Sequence, residues 1–150
     1  MSNPLYGSNK YDDNVGWLIN PGAPSQAIGT GSQTITIEEV LNQVIEEDPA
    51  GAATWTLPTA ALAVAGAKAR NGGVLEIGDC IDFYIINNAT AGADEIVTMA
   101  VGSGGTAVGN LLVAAGNVTE DQENSGSAHF RIRFTGVASS SESYDLFRLS

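Results

Sequence analysis

The second half of the chain alternates short runs of β-forming residues with glycine-rich turns, and this rhythm constrains the fold more than any other feature. Ile81-Asp82-Phe83-Tyr84-Ile85-Ile86-Asn87-Asn88, Glu95-Ile96-Val97-Thr98-Met99-Ala100-Val101, Leu111-Leu112-Val113, Phe130-Arg131-Ile132-Arg133-Phe134 and Tyr144-Asp145-Leu146-Phe147-Arg148-Leu149 are the runs. Gly102-Ser103-Gly104-Gly105-Thr106 is the most glycine-dense of the turns between them. Short strands at this spacing, with no helical period after residue 70, predict a mainly β fold: an antiparallel β-sandwich or jelly-roll-like barrel. Strand 128–136 alternates cleanly, with Phe130, Ile132 and Phe134 on one face and His129, Arg131 and Arg133 on the other. Strands 80–88 and 95–101 read as a hairpin, and 106–114 as a short hairpin or a kinked strand.

One short α-helix is expected, at about 59–70. Thr59 can cap it, alanine dominates it, Lys68 and Arg70 fall in its last turn, and Asn71-Gly72-Gly73 stops it. Residues 53–58 alternate and form a strand that ends at Pro58. Ahead of them, one helical turn near 38–42 is followed by a strand near 43–48, and Thr36 with Glu39 has capping-box spacing.

Residues 1–32 differ from the rest. They are polar, hold no period of 2 or 3.6, and end in the hinge-like Gly29-Thr30-Gly31-Ser32. The domain plan is therefore an extended N-terminal arm over 1–32 and a β-sandwich domain over 33–150. Leu5, Tyr6, Tyr11 and Trp17 are spaced along the arm. Disordered tails are poor in aromatics, so these four are the candidate partner-binding residues, docking on a neighbouring subunit or a partner in preference to their own domain.

Seventeen acids against six bases leave a net charge of −11. Nucleic acid and anionic membrane both need basic clusters, so neither is an expected partner. No run of 18 apolar residues exists, and the first residues do not have the pattern of a signal peptide. The two Asn-X-Thr sequences, at Asn88 and Asn117, are then read as chance matches. The single cysteine, Cys80, excludes an intramolecular disulfide and is expected to be a buried, inert thiol.

Tests for chemistry return little. The glycine-rich turn at 102–106 lacks the lysine of a phosphate loop and precedes no helix. His129 is the only histidine, has no nucleophile-elbow serine to serve, and reads as an exposed strand residue. A zinc site needs more His or Cys than this. The acidic groups at 12–13, 46–48, 94–95 and 120–123 lack EF-hand spacing and read as solvated surface. No catalytic, cofactor or metal residue is assigned, and no enzyme activity is expected.

Several stretches together resemble virion proteins of tailed bacteriophages. They are Asp48 to Ala61, Gly78-Asp79 running into Phe83 to Asn88, Val101-Gly102 through Gly109-Asn110 to Gly116, Phe130 to Thr135, and Tyr144 to Leu149. The opening Asn3-Pro4-Leu5-Tyr6-Gly7 is similar to N-termini of marine phage structural proteins. The chain thus resembles capsid decoration (cement) proteins and head-fibre modules over about 35–150. The resemblance implies a homotrimer on the outer capsid surface, made in the host cytoplasm, with the major capsid protein as partner. The arm would staple capsid subunits together. The alternative it leaves open is a fibre or receptor-binding module recognising host surface glycans.

Overall fold

The computed structural model describes residues 28–89, 94–115 and 126–150. In chain order the elements are β1 (Gln33–Thr34), α1 (Ile37–Leu41), β2 (Val44–Glu47), β3 (Ala53–Thr56), α2 (Ala60–Arg70), β4 (Cys80–Asn87), β5 (Val97–Ala100), β6 (Gly105–Val108), β7 (Leu112–Val113), β8 (Ser127–Gly136) and β9 (Ser143–Arg148). They form a five-stranded sheet in the order β2-β4-β8-β9-β6 and a four-stranded sheet in the order β1-β3-β5-β7.

The mainly β reading holds, and the short helix falls at 60–70 as expected. The expectation of a purely antiparallel order does not hold. β1–β3, β2–β4, β3–β5 and β6–β9 run parallel, while β4–β8, β5–β7 and β8–β9 run antiparallel. The reason is the connections. Parallel neighbours need long crossovers, and the chain from β2 to β4 passes through β3 and α2 on its way. Neither sheet closes into a barrel among the described residues.

Both expected hairpins are also replaced by crossings between the sheets. β4 pairs with β8 and β5 with β3, so strands 80–87 and 97–100 lie in different sheets. β6 and β7 likewise separate. The first crossing is held by Asn87, 1% exposed at the end of β4. Its side-chain amide donates to the carbonyls of Glu95 (2.7 Å) and Val113 (3.2 Å), and its Oδ1 accepts from the Ala89 amide (3.0 Å). A buried amide is tolerated because its groups are partnered.

Local signals act where they were read. Thr36 Oγ1 accepts from the Glu39 amide and Glu39 Oε2 accepts from the Thr36 amide, a complete capping box on α1. Gln43, in the left-handed region at φ 74°, then turns the chain into β2. Thr59 caps α2 through the Leu62 amide. The helix buries Ala60, Ala63, Val64 and Ala67, the i, i+3, i+4, i+7 face. Lys68 at its C-terminal end donates to the carbonyl of Val137 at 2.8 Å.

One core cluster joins the inward residues of both sheets and both helices. Trp55, Val97, Met99 and Val113 come from the smaller sheet, and Ile45, Phe83, Ile85, Phe130, Ile132, Phe134, Tyr144 and Leu146 from the larger. Phe83 and Phe130 stack at 5.7 Å between ring centroids. The Tyr144 hydroxyl donates to the Pro58 carbonyl (2.9 Å) and accepts from the Gly102 amide (3.2 Å). Burial pushes its pKa up.

The glycine-rich turn is a packing device. A Cβ on Gly102 would lie 2.7 Å from the backbone at Leu57 and Pro58, and one on Gly105 would lie 2.7 Å from the Tyr144 ring. The Ser103 carbonyl accepts from the Ala60 amide at 2.8 Å. An oxygen of the protein's own backbone thus caps the N-terminus of α2, where a phosphate would need an open donor.

Candidate functional site

Alternation along β4 sets the outer face of the five-stranded sheet. Phe83, Ile85 and Asn87 point inward, so Cys80, Asp82, Tyr84 and Ile86 point out. Cys80 is therefore exposed, which corrects the expectation of a buried thiol: it sits on the even, outward positions of the strand. β8 places Ser127, His129, Arg131 and Arg133 on the same side, β9 adds Asp145 and Phe147, β2 adds Val44 and Glu46, and β6 adds Thr106 and Val108.

The register joins these residues into rows. Asp82 is opposite Arg131 and Tyr84 opposite His129. Arg131 grips Asp82 with two hydrogen bonds, Nε to Oδ1 at 2.6 Å and Nη2 to Oδ2 at 2.7 Å. The Arg131 hydrogen bond holds the Asp82 carboxyl below its ordinary value, and the guanidinium pKa rises in turn. His129 stacks on Tyr84 with centroids 4.5 Å apart and an interplanar angle of 13°. Its Nε2 lies 3.4 Å from Asp82 Oδ2, without the alignment of a hydrogen bond, and has no other partner among the described residues. His129 is half-buried in this cluster, so its reading as an exposed strand residue is corrected.

A carboxylate with both oxygens on one guanidinium is held ionised and is a weak base. No group of three or more His, Cys, Asp or Glu is placed to hold a metal among the described residues. The same face carries apolar side chains among its polar ones: Tyr84 is 46% exposed and Val108 39%, with Val44, Ile86 and Phe147 half-buried.

A second surface is an apolar groove of about 540 Å³ between α1, α2 and the ends of β1 and β3. Thr36, Ile37, Pro58, Leu62, Ala65 and Gly66 are among its lining residues, and Leu62 is 59% exposed.

The four arm residues singled out from the sequence, Leu5, Tyr6, Tyr11 and Trp17, lie outside the described residues. The last residues of the 1–32 segment are described, and they are tied to the domain. Gly31 donates to the Pro49 carbonyl (2.9 Å), Gly29 to Glu47 Oε2 (2.9 Å), and Trp55 Nε1 to the Gly31 carbonyl (3.1 Å). The alternation of β8 already put His129 with Arg131. Asp82 and Tyr84 were missed because joining them to β8 needs the strand pairing, which no local signal carries.

No known protein family matches this chain, and no curated protein or solved structure does.

Proposed function

We propose that this protein is a virion structural protein without catalytic function: a capsid decoration protein of a tailed bacteriophage that binds the outer capsid lattice and stabilises the head. The two mixed sheets are read as a β-sandwich that supplies bulk, and residues 1–32 as the arm that grips. One observation carries the reading furthest. The outer sheet face joins apolar residues to a charge pair already satisfied within the protein, and offers docking area without acid–base machinery. The resemblance to phage virion proteins over about 35–150 points the same way. The partners are the major capsid protein and further copies of the chain, as a homotrimer. Several weak arm contacts per assembly would add through avidity.

The experiment is co-sedimentation of the full chain with capsids lacking it. Leu5, Tyr6, Tyr11 and Trp17 are replaced together by serine in a second preparation. Binding by the wild type, and its loss in the variant, is the expected result. Equal sedimentation of both, or failure of the wild type to bind, overturns the proposal.

A fibre or receptor-binding module recognising host surface glycans is the second reading. The exposed Tyr84 beside Asp82, Arg131 and His129 favours it, since aromatic rings and fixed polar groups suit sugars. One ring face of Tyr84 is already taken by His129, which leaves less of it for a sugar to stack on. Glycan-array binding that Tyr84→Ala abolishes would establish this reading.

A further inference from the structure

We propose that the outer face of the five-stranded sheet is the surface through which one copy of this chain packs against a second copy. Four observations lead there. First, an antiparallel or mixed sheet facing water normally alternates apolar-in and polar-out. Here Tyr84 and Val108 stand exposed on the outer side; Val44 on β2 and Ile86 on the same strand adjoin Tyr84, and Phe147 on β9 adjoins Val108. These are two apolar groups, one on either side of the polar row of β8, and together they make this face a candidate interaction surface.

Second, the charge pair at the centre of the patch is already satisfied. Arg131 and Asp82 share two hydrogen bonds, so a partner can cover them without stranding a lone charge. Third, charge selects the partner. The chain as a whole carries −11. The outer face carries Arg131 and Arg133 against Glu46, Asp82 and Asp145, two bases to three acids. It is close to neutral on a strongly acidic protein, so two copies meet there with little repulsion, whereas a basic partner would be drawn to the acid-rich remainder.

Fourth, the size fits. Five strands at the usual inter-strand spacing, with lengths of up to ten residues, offer about 600 Å². A standard interface takes about 800 Å² per partner, so the face with its rim is of the right order. The β2 edge beside it carries Glu46 and Glu47, which discourages strand-to-strand association at that edge.

A face that meets its own copy pairs two chains, so this contact is separate from the trimer of the function proposed above, and it is tested without capsids, so the two can fail separately. Full-length protein is measured by light scattering after size exclusion over a dilution series. The wild type is expected at twice the chain mass of 15.4 kDa. Tyr84→Glu, Ile86→Glu and Val108→Glu are each expected to shift it to monomer, with the apparent dissociation constant raised at least tenfold. Leu62→Glu, on the groove and away from the face, keeps the wild-type mass. Far-UV circular dichroism and a cooperative melt identify which variants are folded, and Val108, on an edge strand, is the substitution least able to disturb the core. A wild type that is monomeric throughout the series overturns the proposal. So do folded face variants that retain the wild-type mass.

Discussion

Asp82 is where a single residue ties the outer face to solution conditions. Its carboxyl titrates below its ordinary value because Arg131 donates to it. A group depressed on folding contributes stability that is fully present above its unfolded pKa, about 3.9, and is lost as pH falls through the lower folded value. The wild type should therefore exceed Asp82→Asn in stability at neutral pH. The gap should close as pH falls below about 4, toward the acid limit where both chains carry a neutral side chain at position 82. The effect is small, because the Arg131 and Asp82 side chains are 41% and 36% exposed and solvent screens them. Urea melts of both chains from pH 7 downward check it, and a gap that widens in acid contradicts it. The capping threonines Thr36 and Thr59 were legible in the sequence because their partners lie three residues away. Asp82 was not, because its partner lies 49 residues away and only the β4–β8 register brings them together.

Elements tell the same story one level up. Strand positions could be read from alternation, and α2 from its cap, its alanines and its Asn-Gly-Gly stop. Which strand lies beside which could not. No side-chain pattern over residues 88–96 announces that the chain changes sheets, since the Asn87 latch works through backbone groups at 89, 95 and 113, which leave no mark in the sequence. The same nonlocal dependence governs Gly66 in α2. In an isolated helix, Gly→Ala gains about 1 kcal/mol. Here a Cβ at position 66 would collide with the Cγ atoms of Ile37 on α1. Overpacking of this kind costs about 1–3 kcal/mol, so Gly66→Ala is expected to destabilise the protein. Ile37→Ala destabilises alone by removing a buried side chain, 6% exposed, but it also clears the space that the new methyl needs. The double variant should then be more stable than the sum of the two losses. Denaturation of all four chains measures that coupling, and simple additivity would mean that the two helices do not touch as described.

At the scale of the whole molecule, strand order decides what can be removed. β9 does not sit at a sheet edge: it lies between β8 and β6, antiparallel to the first and parallel to the second. Its inward residues Tyr144 and Leu146 are fully buried, and the Tyr144 hydroxyl reaches Pro58 and Gly102 in the connections before α2 and after β5. Arg148 reaches further, donating to the Leu112 carbonyl on β7. One strand therefore closes the larger sheet, fills the shared core and bonds to segments of the smaller sheet. A chain that stops at Glu142 loses the ladder partner of β6 and leaves one edge of β8 unpaired. Because the core is one cluster rather than two, this loss should spread through both sheets instead of fraying one edge. The expected result is a truncated chain without cooperative unfolding and with weakened near-UV circular dichroism from Trp55, a residue far from the cut in sequence but in the same cluster. By contrast, Leu62→Glu, on the exposed side of α2, should keep a single sharp transition. A truncated chain that still melted in one step would mean that the four-stranded sheet folds without its partner and that the protein is two cooperative units.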